Sequence, residues 1–316
     1  MAKYRSQLPQ LDAEAFLTDG GLETTLIFDD GLELPDFAAF TLFENQAGRD
    51  AMDRYFGAYA RIAARDGVGI VLETATWRAS PDWGTHLGYD ADKLAEANRA
   101  AVEQLVGVRQ RHETPSSPIV ISGNIGPRGD GYQVGEVMSA EEAADYHSFQ
   151  TNLFASTEAD LVTALTMTYP AEAIGVADAA RAAGMPVVLS FTVETDGSLP
   201  SGQSLQEAID AVDTATDNYP TYYMVNCAHP DHFADVLTTG AAWTRRIGGV
   251  RANASRKSHA ELDEATELDA GDPAELGAQY RALREALPNV VVLGGCCGTS
   301  HVHIDAISRA NAVSAR

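Results

Sequence analysis

Eight short apolar, β-prone runs, each followed by a longer segment of helical periodicity, constrain what this 316-residue chain can fold into more than any other feature. The strand candidates are residues 16–19, 69–74, 118–124, 160–165, 186–192, 222–227, 247–253 and 290–294. Most are continuous hydrophobic runs without strict alternation, the pattern required of strands covered on both faces. Helical spacing predicts helices over 45–65, 91–110, 139–157, 171–183, 204–216, 231–238, 273–286 and 301–310. Ser139-Ala140-Glu141-Glu142 supplies a cap followed by first-turn acids, and Gly184 with Pro186 beyond it closes the segment before them. Eight such units fit an α/β chain folded as a (β/α)8 TIM barrel, whose usual size is about 250 residues. No linker rich in Pro, Gly or Ser divides the sequence, so one barrel domain over residues 1–316 is expected. A doubly wound open sheet is the alternative, because strand count does not establish closure. Gly20-Gly21 and Gly294-Gly295 lack the spacing of a dinucleotide fingerprint.

A hydrophobic fraction of 45% is enough for a sizeable core. The net charge is −23, from 45 acidic and 22 basic residues, and the lysines are Lys3, Lys93 and Lys257 alone. Such an anionic surface repels nucleic acid and anionic membranes, so neither is an expected partner. No apolar run reaches the roughly 18 residues of a membrane span, and residues 1–9 lack the apolar core of a signal peptide. The expected compartment is the cytoplasm, where thiols stay reduced. The acidic run 261–275 reads as a solvated loop and helix start.

The chain has three cysteines, and all fall where a predicted strand runs into a loop. Cys227 ends the sixth run; Cys296 and Cys297 follow the eighth. In a barrel those positions lie at the C-terminal face, where active sites are built. Three thiolates meeting there form a soft donor set suited to zinc, with a fourth position open to a substrate. An odd number of cysteines, two of them adjacent, does not make a disulfide framework. Buried, unreactive thiols are the plainer reading of the same residues.

Gly294-Gly295-Cys296-Cys297-Gly298-Thr299 and Asn226-Cys227-Ala228-His229-Pro230 are the segments that carry a resemblance. Residues 19–24, 73–80 and 123–127 support it. On these motifs the chain resembles the homocysteine S-methyltransferase family over nearly its whole length. The resemblance implies a (β/α)8 barrel, zinc held by Cys227, Cys296 and Cys297, and a thiol acceptor completing the metal shell. It implies no side-chain general base, so no catalytic residue is expected beyond the metal site. Asp19 then faces the acceptor's ammonium, and Gly20 and Gly21 let the backbone approach the substrate. Thr74 lines the pocket, Trp77 covers an onium donor, and Asn226 belongs to the same substrate surface.

Two positions depart from the family pattern. Leu165 stands where the family has a glutamate that holds homocysteine, a loss of roughly 1.5–3 kcal/mol in binding. Either Glu73 or Glu194 compensates, or the acceptor is a different thiol. Arg78 stands where the betaine-using branch has an aromatic residue, which leaves a betaine cage incomplete. His229, His301 and His303 lie near the thiols in sequence but are not counted as ligands, since three sulfurs already fill the protein's share of such a site. The expected activity is zinc-dependent transfer of a methyl group from a small onium donor (S-methylmethionine, S-adenosylmethionine or a betaine-like compound) to homocysteine or a related thiol. An onium demethylase using another thiol as methyl sink, and a non-catalytic zinc- or thiol-binding barrel, are the alternatives.

Overall fold

In the computed structural model, which describes residues 1–311, each of the eight runs is a strand. These are β1 (Phe16–Thr18), β2 (Gly69–Glu73), β3 (Ile119–Ile125), β4 (Leu161–Met167), β5 (Val187–Phe191), β6 (Tyr222–Asn226), β7 (Ile247–Ala252) and β8 (Val292–Gly295). Each pairs in parallel with its sequence neighbour, and β8 pairs with β1 through Phe16↔Val292 and Leu17↔Leu293. The sheet is therefore a closed barrel, and the open-sheet alternative is set aside. β1, β2, β5, β6 and β7 each stop one residue short of the expected run, leaving Asp19, Thr74, Thr192, Cys227 and Asn253 to turn out onto the rim. Hydrophobic runs do not mark that boundary, because the rim is buried too.

Alternation along the strands divides the side chains into two sets. Leu17, Ile70, Leu72, Ile121, Val162, Ala164, Leu189, Val225 and Leu293 point outward into one large cluster with the helices. Phe16, Val71, Val120, Leu161, Val188, Tyr222 and Val292 point inward and form a second cluster closed from below by Leu8. Burial on both faces is why the runs read as continuously apolar. Toward the C-terminal end the interior turns polar, with Glu73, Ser122, Thr163, Ser190 and Arg251 all buried, and Ser122 and Thr163 hydroxyls 2.7 Å apart. A polar upper interior is a place for chemistry.

The long helices are Gln46–Asp66, Ala91–His112, Ala140–Ala155, Pro170–Ala182, Leu205–Thr216, Pro230–Leu237, Pro273–Ala286 and His301–Ala310. Local chemistry explains their ends. Asn45 accepts from Gly48 N, Ser139 and Ser204 form capping boxes with Glu142 and Glu207, and Gly67 closes its helix in the left-handed region. Several short helical segments have no counterpart among the expectations, and two of them bear on the site: Pro81–His86 and His259–Asp263. The second corrects the reading of the acidic run, whose first residues belong to a helix capped by Ser258 with Glu261. Among the described residues no helix is long and apolar enough to cross a membrane.

Candidate metal centre

Strand β7 places both cysteine segments. The Cys227 amide donates to Arg251 O at 3.1 Å, and the Cys296 amide donates to the next carbonyl, Ala252 O, at 2.9 Å. Two successive carbonyls of one strand thus hold the β6 and β8 ends side by side. Cys227 has φ 55°, a left-handed conformation uncommon outside glycine, which turns its side chain sharply off β6. Gly21 brings the β1 loop against the same segment: a Cβ there would sit 2.5 Å from Cys296 O. Gly21→Ala should therefore push the two loops apart, costing about 1–3 kcal/mol of stability and weakening metal binding; thermal melts and metal titration check both effects.

The three sulfurs lie within 4.8 Å of one another. Cys227 and Cys297 Sγ are 3.8 Å apart, the edge expected of a tetrahedron with metal–sulfur bonds of about 2.3 Å. Cys227 and Cys296 bring their sulfurs into contact, beside the free thiol of Cys297. Their Cα atoms are 5.4 Å apart, inside the usual range for a bridge, a proximity that closure of the barrel creates and sequence spacing does not reveal. As thiols, the three cysteines place their donors on one point, a set that fits a soft divalent ion.

Several side chains surround the sulfurs. The Tyr132 hydroxyl lies 3.4 Å from Cys297 Sγ and 3.6 Å from Cys227 Sγ, and its ring packs on His259 at 4.4 Å between centroids. His259 Nε2 is 2.7 Å from Cys227 O, and its Nδ1 is 3.3 Å from Glu194. Burial pushes the Cys297 thiol up, with the Tyr132 hydrogen bond acting the other way. A thiol held neutral by burial ionises when a cation arrives. Burial also lifts the half-buried Glu23, to about 7.

The residues expected to meet substrate have partners within the protein. Asp19 is buried, 2.8 Å from Arg251 Nη1, and accepts from the Tyr55 hydroxyl at 3.1 Å. Asn226 accepts from the Ser190 hydroxyl (2.6 Å) and Thr166 N (2.9 Å), while its Nδ2 reaches Thr166 Oγ1 (2.9 Å) and lies 3.9 Å from Cys296 Sγ. Thr166 is β-branched with φ 65°, so this clamp holds strained backbone beside the sulfurs. Thr74 Oγ1 accepts from Asn124 N and bonds the Thr76 hydroxyl. Trp77 donates Nε1 toward Leu165 O, and one ring face is covered by the Arg78 guanidinium, 4.3 Å from the centroid. Gly20 faces the Tyr59 hydroxyl and Thr299 O, where a Cβ would come within 2.7 and 3.0 Å. Leu165 is buried with the inner cluster. His229 caps the helix Pro230–Leu237, His303 caps its own helix and reaches Ala270 O, and His301 is exposed.

Glu73, a candidate compensator, is buried with Oε2 unpartnered. Burial lifts its carboxyl from 4.5 to about 7, with Arg251 opposing. A carboxyl whose folded pKa is raised favours folding below its unfolded value, and that contribution is lost as pH rises through about 7. Glu73→Gln should accordingly stabilise the protein more at pH 8 than at pH 5, by up to about 3 kcal/mol; urea midpoints at the two pH values check it.

Residues 16–311 match the family model described as homocysteine S-methyltransferase. A curated relative, homocysteine S-methyltransferase 1 of Arabidopsis thaliana, is 22% identical, with 93% of this chain and 92% of that protein aligned. The solved homocysteine methyltransferase MmuM from Escherichia coli is similar in fold. Its oxidized form has a TM-score of 0.76 at 20% identity, and its metallated form 0.75 at 18%, each covering 97% of this chain and 99% of that one. With the barrel closed and the thiols gathered at its rim, the match over almost every residue identifies this chain as a methyltransferase of the homocysteine S-methyltransferase family.

Proposed function

We propose that this protein binds zinc through Cys227, Cys296 and Cys297 and transfers a methyl group from a small onium donor to homocysteine or a related thiol. The observation that carries the reading is the convergence of three sulfurs, from two distant segments, at the C-terminal end of the barrel. An all-sulfur set favours zinc over harder cations. Bound there, the ion would supply a thiolate at neutral pH from an acceptor thiol whose ordinary pKa is about 8.5.

The chain's own residues provide the surroundings. Cys227 and Cys296 are held by β7 carbonyls, so the donor set is organised before any ion arrives. Asn226 fixes the β4 end beside Cys296. Tyr132 lies over Cys227 and Cys297, with its hydroxyl directed at their sulfurs and its ring backed by His259, and shields them from water. The methyl group moves in line: a carbon–sulfur bond forms at the acceptor while the donor's bond to the same carbon breaks, its electron pair leaving with a neutral product. Tested on reduced, zinc-loaded protein, a panel of thiols and onium compounds should yield a methylated thiol detectable by mass spectrometry. No product from any pair would contradict the reading.

Asp19 is committed to Arg251, the apolar Leu165 adds no charge, and burial keeps the Glu73 carboxyl partly neutral at pH 7, so an ammonium group finds little dedicated recognition. The des-amino analogue of homocysteine, 4-mercaptobutyrate, should therefore be methylated with a kcat/KM within about tenfold of homocysteine's. A gap of about a thousandfold would show that the amino group is read after all.

A further inference from the structure

Among the described residues three arginines are buried: Arg78, Arg109 and Arg251, at 7%, 6% and 4% exposure. Arg109 lies 2.9 Å from Asp160, and Arg251 lies 2.8 Å from Asp19. Arg78 forms no ion pair among the described residues. Its one hydrogen bond there runs from Nη1 to Gly129 O at 3.0 Å, and its Nε is sealed from solvent without an acceptor. A guanidinium has five N–H donors and a charge that is costly to bury alone. Trp77 and Trp83 offset part of that cost, with their ring centroids 4.3 and 3.8 Å from the guanidinium carbon. They satisfy none of the donors.

Position gives the unpaired cation a meaning. The loop whose Gly129 carbonyl Arg78 holds is the loop that carries Tyr132 onto Cys227 and Cys297. Arg78 itself touches no cysteine, but the Trp77 on which it stacks reaches Leu165 O, next to the Thr166 that Asn226 holds beside Cys296. In-line displacement puts the leaving group opposite the attacking sulfur, away from the thiols. One face of each of these two indoles is already covered by the protein's own cation, which repels a second cation unless that molecule also brings an anion.

We infer that Arg78 receives the carboxylate of the methyl donor. The inference rests on the proposed methyl transfer and adds the residue that reads its donor. When the donor is a sulfonium, one carbon–sulfur bond forms at the acceptor thiolate and one breaks at the donor sulfur, which departs as a neutral thioether still bearing its carboxylate.

Dimethylsulfonioacetate and trimethylsulfonium differ in that carboxylate and test it directly, with homocysteine as fixed acceptor. The wild-type KM for dimethylsulfonioacetate should be at least about tenfold lower. In Arg78→Gln the gap should close to within about twofold, whereas Arg78→Lys should keep most of it. Equal KM values in the wild type, or an undiminished gap in Arg78→Gln, would overturn the assignment. Calorimetric binding of the two donors to zinc-loaded wild-type protein reads the same preference without turnover or substitution. If neither donor is turned over, the proposed reaction fails on its own; tighter binding of the carboxylate donor still supports the role of Arg78, and equal binding rejects it.

Discussion

Cys297→Ala protein, reduced and equilibrated with stoichiometric zinc, should retain less than about a tenth of the metal held by the wild type. Metal–ligand bonds in a thiolate site together contribute about 10–16 kcal/mol, so removing one of three protein ligands costs roughly 4 kcal/mol, or about a thousandfold in affinity. Turnover should fall in parallel, because the thiolate acceptor depends on the ion. Cys297 is the informative position. It lies at the rim and not in the apolar core, and Cys227 and Cys296 keep their own backbone bonds to β7 without it. The variant should therefore melt within a few degrees of the wild type, separating loss of metal from loss of fold. Full activity in metal-free Cys297→Ala would remove the thiolate site from the mechanism.

The second large effect concerns Arg251. Its guanidinium and the Asp19 carboxylate are both buried, and Tyr55 completes the contact. Removing one partner of such a pair leaves an uncompensated charge out of water, so Arg251→Met should lose about 3–5 kcal/mol of stability. Replacing both partners removes the charge altogether, and Asp19→Leu with Arg251→Met should recover most of that loss. Urea unfolding of the four proteins closes the cycle. The substitution should also alter specificity. Freed of Arg251, Asp19 can meet an ammonium, and the preference for homocysteine over 4-mercaptobutyrate should rise at least about tenfold. An unchanged preference would mean that Asp19 does not face the acceptor.

Much of this molecule is visible in its sequence because burial leaves a plain mark. Strands covered on both faces must be apolar throughout, and runs such as Val187–Phe191 and Tyr222–Asn226 were read from that alone. Thiols at strand ends point to the barrel rim for the same geometric reason. What sequence hides is commitment between distant residues. Asp19 is engaged by Arg251, more than two hundred positions away, and the charge of Arg251 within the apolar strand Ile247–Ala252 was the one available signal. Tyr132 sits in a glycine-rich loop with no periodicity, so nothing local announced its approach to the sulfurs. Trp77 reads as an open aromatic face until Trp83, in an unexpected short helix, is seen to hold Arg78 across it. The approach of Cys227 to Cys296 exists only once the barrel closes.

The proposed reaction requires three protein sulfurs to hold one ion and leave it a place for the substrate's thiol. X-ray absorption at the zinc edge of the reduced, reconstituted protein tests this most directly. Three sulfur neighbours at about 2.3 Å and one lighter atom are expected, changing to four sulfurs when homocysteine or another accepted thiol is added. A shell dominated by nitrogen or oxygen, or a sulfur count that does not rise with the thiol bound, would contradict it.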